Sequence, residues 1–131
     1  MDKENLNKAI DYVYLKGGEL DEISFNRLIS TIFLADREMV GRYGYSITQI
    51  KWKYFLGYLV SDEFNDDTDI EHFKFKKEGN KYRKYFLHKI KDIVKPKLPT
   101  KIKEVLDQTI ESVKDLNIIE LNELVEKEFE F

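Results

Sequence analysis

Apolar residues recur at helical spacing through most of this chain and change once to strict alternation, at Phe73-Lys-Phe-Lys76. That change of period, from about 3.6 to 2, limits the fold to helices with one strand-forming region. Leu6, Ile10, Val13 and Tyr14 mark a first helix over about Leu6–Lys16, stopped by Gly17-Gly18. Asp21-Glu-Ile-Ser24 reads as a short linker whose Ser24 caps the second helix. Phe25, Leu28, Ile29, Ile32 and Phe33 give that helix a stripe that runs on through Leu34 and Ala35. It is expected to fray near Gly41, ahead of a turn at Tyr43-Gly-Tyr-Ser46 in which Gly44 takes a positive φ. Ile47-Thr48 then opens a third helix through Trp52, Phe55, Leu56 and Leu59, with Thr48 placed to cap it.

Asn65-Asp-Asp-Thr-Asp69 is a polar turn cluster. Beyond it the alternating segment, the Glu78-Gly-Asn80 turn and Tyr82-Arg-Lys-Tyr-Phe-Leu-His88 form a β-hairpin, although the second arm also suits a helix. Pro96 and Pro99 bracket a break. Thr100 is placed to cap a helix through Ile102, Val105, Leu106, Ile110 and Val113, ended by Asn117. A last short helix from Ile119 to about Glu128 carries Leu121, Leu124 and Val125 on one face. The expected fold is α+β and predominantly α: about five helices around one core, with a single β-hairpin at roughly residues 72–90. The 131 residues make one domain.

Charge is sharply segregated. Residues 1–60 are neutral, residues 61–71 hold six acidic side chains and no basic one, and residues 74–103 hold twelve basic against Glu78 and Asp92. Residues 104–131 hold nine acidic against Lys114 and Lys127. A block this basic between two acidic ones implies an anionic partner, an internal electrostatic clasp, or a solvated face neutralised by its neighbours. With no cysteine there is no disulfide framework and no thiolate metal site. The longest dense apolar run, Tyr54-Phe-Leu-Gly-Tyr-Leu-Val60, is about two helical turns and reads as core rather than a membrane span. Met1-Asp-Lys-Glu-Asn has no charged-then-apolar signal pattern. The expected location is therefore the cytoplasm, of a cell or of a host if the gene is mobile.

Leu34-Ala-Asp-Arg-Glu38, Tyr43-Gly44, Ile47-Thr48, and Gly57 before Val60-Ser-Asp62 form a connected pattern. Leu98-Pro-Thr-Lys101 and Ser112-Val-Lys-Asp-Leu-Asn-Ile-Ile-Glu-Leu121 extend it into the tail. The chain resembles the Panacea domain, also called the SocA-like domain, over nearly its whole length. Two features depart from that family. Its Gly-Pro-Val turn is here Gly57-Tyr58-Leu59 without proline, and its closing-helix Thr-His pair is here Val125-Glu126. The resemblance implies an antitoxin: a protein that neutralises a toxin or defence component by direct binding, or by delivering it to a protease as an adaptor. Phages and other mobile elements also carry such domains. Asp36, Gly44, Ile47, Thr48 and Gly57 are the residues that carry the family motif. On physical grounds Asp36 suits a cap or pair near a helix end, Gly44 a turn and Gly57 close packing.

The residues offer little for catalysis, so no enzyme, catalytic residue, metal or cofactor is expected. His72 and His88 can face each other across the hairpin, but a metal site needs further ligands, and Asp66, Asp67 and Asp69 sit in a loop. Glu71 with His72, or Asp36 with Glu38, makes an acid/base pair only on paper. There is no phosphate loop or nucleophile elbow. Two surfaces remain for a partner. Tyr43, Tyr45, Trp52, Tyr54 and Tyr58 cluster around the expected third helix, and Tyr and Trp are favoured anchors of protein interfaces. Lys74, Lys76, Lys77, Lys81, Arg83 and Lys84 line the hairpin, as a face for nucleic acid or an acidic partner. In that second use the chain is a winged-helix DNA-binding regulator whose hairpin lies along a phosphate backbone and whose reader helix holds Gln49, Lys51, Trp52 and Lys53.

Overall fold

The computed structural model describes residues 1–17, 22–78 and 84–129. Among them are four helices, a three-stranded sheet and a separate two-stranded hairpin, in place of the expected five helices and one hairpin. The order is α1 (Lys3–Gly17), β1 (Glu22–Ser24), α2 (Phe25–Tyr43), β2 (Lys53–Phe55), β3 (Tyr58–Val60), β4 (Phe73–Glu78), β5 (Lys84–Lys89), α3 (Thr100–Val113) and α4 (Ile118–Phe129). None of these helices is long and apolar enough to cross a membrane.

The missing helix is the one expected after Ile47. Residues 47–52 are irregular, and β2 and β3 follow as an antiparallel hairpin with Tyr54 opposite Leu59 and Phe55 opposite Tyr58. Leu56 and Gly57 join the strands with φ of 50° and 83°. Two successive positive φ values exclude a right-handed helix and are the mark of the two-residue turn that suits strand twist. Gly57 therefore serves backbone conformation and not close packing: a Cβ there would meet no atom within 4 Å.

The expected linker before α2 is also a strand. β1 pairs with β5, Ile23 opposite Leu87, so the sheet runs β1-β5-β4, antiparallel throughout. Ile90 N–H donates to His72 O and extends the β4–β5 ladder by one pair. Phe73 and Phe75 turn inward, where Tyr14 and Phe25 meet them edge-on at 5.3 and 5.1 Å. Lys74, Lys76 and His88 face outward.

Local chemistry explains the helix ends. Ser24 Oγ accepts from Arg27 N–H at the start of α2. The helix does not fray at Gly41 but runs to Tyr43, where Gly44 in left-handed conformation (φ 83°) donates its N–H to Val40 O. Thr100 is the first residue of α3 and not its cap, a position held by Pro99. Asn117 opens α4 instead of closing α3. Its side chain accepts from Glu120 N–H at 2.9 Å while Glu120 accepts from Asn117 N–H at 3.0 Å, a reciprocal capping box.

One core joins these elements. Leu6 and Ile10 of α1, Leu28, Ile32 and Met39 of α2, Leu87 of β5, and Val105 and Leu106 of α3 are all fully buried. Polar ties fix the helices to one another. Arg27 donates to Val113 O and Leu116 O, satisfying carbonyls at the end of α3. Tyr12 donates to Asp107, and burial together with that carboxylate pushes its hydroxyl up to about 12.

Candidate functional site

The site is built on one carboxylate. Asp36 lies on the inward side of α2, 2% exposed. Its Oδ1 accepts from the backbone N–H groups of Ile47 (2.9 Å) and Thr48 (3.1 Å). Its Oδ2 accepts from Thr48 Oγ1 (2.5 Å) and Trp52 Nε1 (2.9 Å). Four donors and no competing acceptor describe an ionised carboxylate, since only that form accepts everywhere. Burial pushes the Asp36 carboxyl above its ordinary value, and the four donors oppose that shift. Asp36, Ile47 and Thr48 of the sequence motif thus form a buried clamp that folds residues 47–52 back against α2. Gly44 supplies the reversal that makes this possible. None of these side chains is free for a partner.

The clamp aims the hairpin. Trp52, held by Asp36, meets Phe33 edge-on at 5.8 Å. Phe129 of α4 stacks on Phe33 at 4.8 Å and lies 5.5 Å from Tyr54. Arg37 covers this group from one side, its guanidinium 5.3 Å from both phenylalanine rings. Tyr54 and Leu59, opposite each other in the hairpin, turn toward the body and are half-buried. Everything else on the hairpin turns away. Phe55 is 65%, Leu56 81% and Tyr58 65% exposed, and Val60 is exposed beside them. Such a cluster on a rigidly seated turn is unusual on a protein surface.

The five aromatic residues expected to form a partner surface therefore separate. Trp52 and Tyr54 are anchors that face inward, and Tyr58 belongs to the exposed cluster. Tyr43 and Tyr45 form a pair of their own at the end of α2, 6.3 Å apart, with Tyr43 against the core and Tyr45 half-exposed. Phe55 and Leu56, which spacing assigns to a buried helix face, are exposed on the hairpin. The signal that marks them is Gly57 following an apolar residue within a run of aromatic and β-branched types, which is also a hairpin pattern.

On the basic hairpin, Lys74 and Lys76 are exposed, while Lys77 and Lys84 are placed by strand register opposite Tyr85 and Glu78. Lys81 and Arg83, with the turn expected at Gly79-Asn80, lie outside the described residues. Gln49, Lys51, Trp52 and Lys53 do not share a helix: the first three are in the irregular segment and Lys53 begins β2. His72 and His88 do not face each other either. His88 lies opposite Lys74, and His72 turns to α1, its Nδ1 2.8 Å from Asp11 Oδ2. Asp11 is buried, which pushes its carboxyl up against the lowering influence of His72. Among the described residues, no group of three metal-binding side chains converges. The chain matches no protein-family model, no curated protein and no solved structure.

Proposed function

We propose that this chain neutralises a partner protein by binding it, and that the β2–β3 hairpin is the docking element. The observation that carries this reading is the outward apolar face of that hairpin, Phe55, Leu56 and Tyr58, presented on a turn whose root is clamped by Asp36. Water penalises this exposure, and a partner groove that covered it would gain roughly 1.5–3 kcal/mol for each large side chain removed from water. Rigid seating lowers the ordering cost of association. The resemblance to Panacea domains supports a toxin or a component of a defence system in the cytoplasm as that partner. The partner is either blocked directly or passed to a protease.

Co-expression with the product of the adjacent gene tests the reading. The expected result is restored growth and a complex on gel filtration. Phe55→Ser with Leu56→Ser and Tyr58→Ser should abolish both while leaving far-UV circular dichroism unchanged, because the three side chains contribute little to the core. Absence of rescue and of a complex with the unaltered chain would count decisively against it.

A further inference from the structure

The sequence allows the lysine-rich block two uses, an internal clasp or an anionic partner. Most of the described lysines of this block take no part in a clasp. Among the described residues, no ion pair joins Lys74, Lys91, Lys95, Lys97, Lys101 or Lys103 to a carboxylate of either acidic block. Lys101 rests over the Tyr43 ring at 4.7 Å and keeps its charge at the surface. Nor is the charge confined to the β4–β5 hairpin. Residues 90–99 leave β5 as an irregular strap that reaches α3, pinned to the core by Ile93 and Leu98. Lys91, Lys95 and Lys97 stand out from it, beside Val94 at 83% exposure. Pro96 and Pro99 hold the strap out of helical conformation. Asp92 is its one acidic residue, and α3 begins with Lys101 and Lys103 and no acidic residue in its first turn.

We infer that this strap is a track for the phosphate backbone of duplex nucleic acid. All its cations are lysines, point charges that suit phosphate oxygens and lack the fork that reads guanine. It carries no aromatic ring between residues 90 and 99, so it offers no platform on which the bases of a single strand could stack. Binding is therefore electrostatic, independent of base sequence, and weak because the whole chain carries a charge of -3. These residues are not those of the β2–β3 hairpin, and the inference does not rest on the neutralisation reading.

Fluorescence anisotropy with a labelled 20-base-pair duplex tests it. If four phosphates are contacted, raising sodium chloride from 50 to 200 mM weakens binding on the order of 100-fold. Lys91→Gln with Lys95→Gln and Lys97→Gln leaves about one contact, so the same change in salt should cost only about 4-fold. At 50 mM that variant should bind at least ten times more weakly. Lys8→Gln with Lys16→Gln and Lys114→Gln removes equal charge elsewhere and should leave most of the binding intact. Failure of the unaltered chain to bind at 50 mM, or equal loss in both triple variants, overturns the inference. Displacement of the duplex by polyglutamate at equal charge concentration also overturns it, and makes an acidic protein the occupant.

Discussion

The two β-hairpins of this protein are built on opposite plans. In β4–β5 apolar and charged residues alternate, so Phe73, Phe75 and Leu87 enter the core while Lys74, Lys76 and His88 meet water. In β2–β3 nearly every residue is apolar, and only the Tyr54 and Leu59 side finds a protein surface to cover it. Each hairpin is tied to the helical layer by a buried aspartate. Asp36 of α2 holds the root of β2–β3, and Asp11 of α1 holds His72 at the entry to β4. The difference teaches how burial and exposure are divided. A strand with a polar face can be satisfied by its own fold, whereas a strand apolar on both faces remains unsatisfied until something else covers it.

Removing the first tether should break this arrangement most severely. Asp36→Asn replaces an acceptor that serves four donors with a group that itself donates, at a fully buried position. It should cost about 4 kcal/mol, lowering Tm by more than about 10 °C and changing Trp52 fluorescence before the far-UV signal of the helices is lost. A Tm within 2 °C of the unaltered chain would show that the clamp is dispensable.

The same truncation in the two hairpins sharpens the contrast. Leu87→Ala in β5 empties a fully buried position and should cost about 3 kcal/mol, read as a lower urea midpoint. Leu56→Ala at the exposed turn should change stability by less than about 0.5 kcal/mol while weakening partner binding. Equal losses would mean that the turn of β2–β3 is part of the core after all.

The second tether should show the smallest effect and a distinct pH signature. Burial raises the Asp11 carboxyl above 3.8, so the unfolded chain gives up this proton more readily than the folded one. Its contribution is full below pH 3.8 and is lost as pH rises through the raised value. The stability of the unaltered chain relative to Asp11→Asn should therefore be largest near pH 3.5 and shrink toward pH 6.5, measured by urea denaturation. A difference that grows with pH would mean that His72 and not burial governs this carboxyl.

Much of this protein is legible from local pattern. The stripes of α1, α2 and α3, Ser24 as a cap, the left-handed Gly44 and the β4–β5 arms follow from spacing and residue type, because each depends on neighbours a few positions away. The motif residues Asp36, Ile47 and Thr48 stand out by resemblance, but their role does not, since a carboxylate gathering donors from eleven to sixteen residues downstream leaves no local trace. The β2–β3 hairpin was hidden for a different reason. A run apolar on both faces matches the helical and the alternating template equally well, and Trp52, Phe55, Leu56 and Leu59 satisfied the helical one. That template places Phe55 and Leu56 in the core, although they stand 65% and 81% exposed.

The sequence by itself determined that α1, α2, α3 and α4 are helical and that β4 alternates, and that charge is divided into blocks. Only the tertiary structure decided that Glu22–Ser24 is a strand, because three residues carry no period and become a strand by pairing with β5. Only it decided which face of an all-apolar hairpin stays in water, because that depends on what α2 and α4 leave uncovered. It also decided that, among the described residues, the lysines of the strap meet no carboxylate, because charge complementarity along a chain becomes an ion pair only where the backbone brings the two signs within reach.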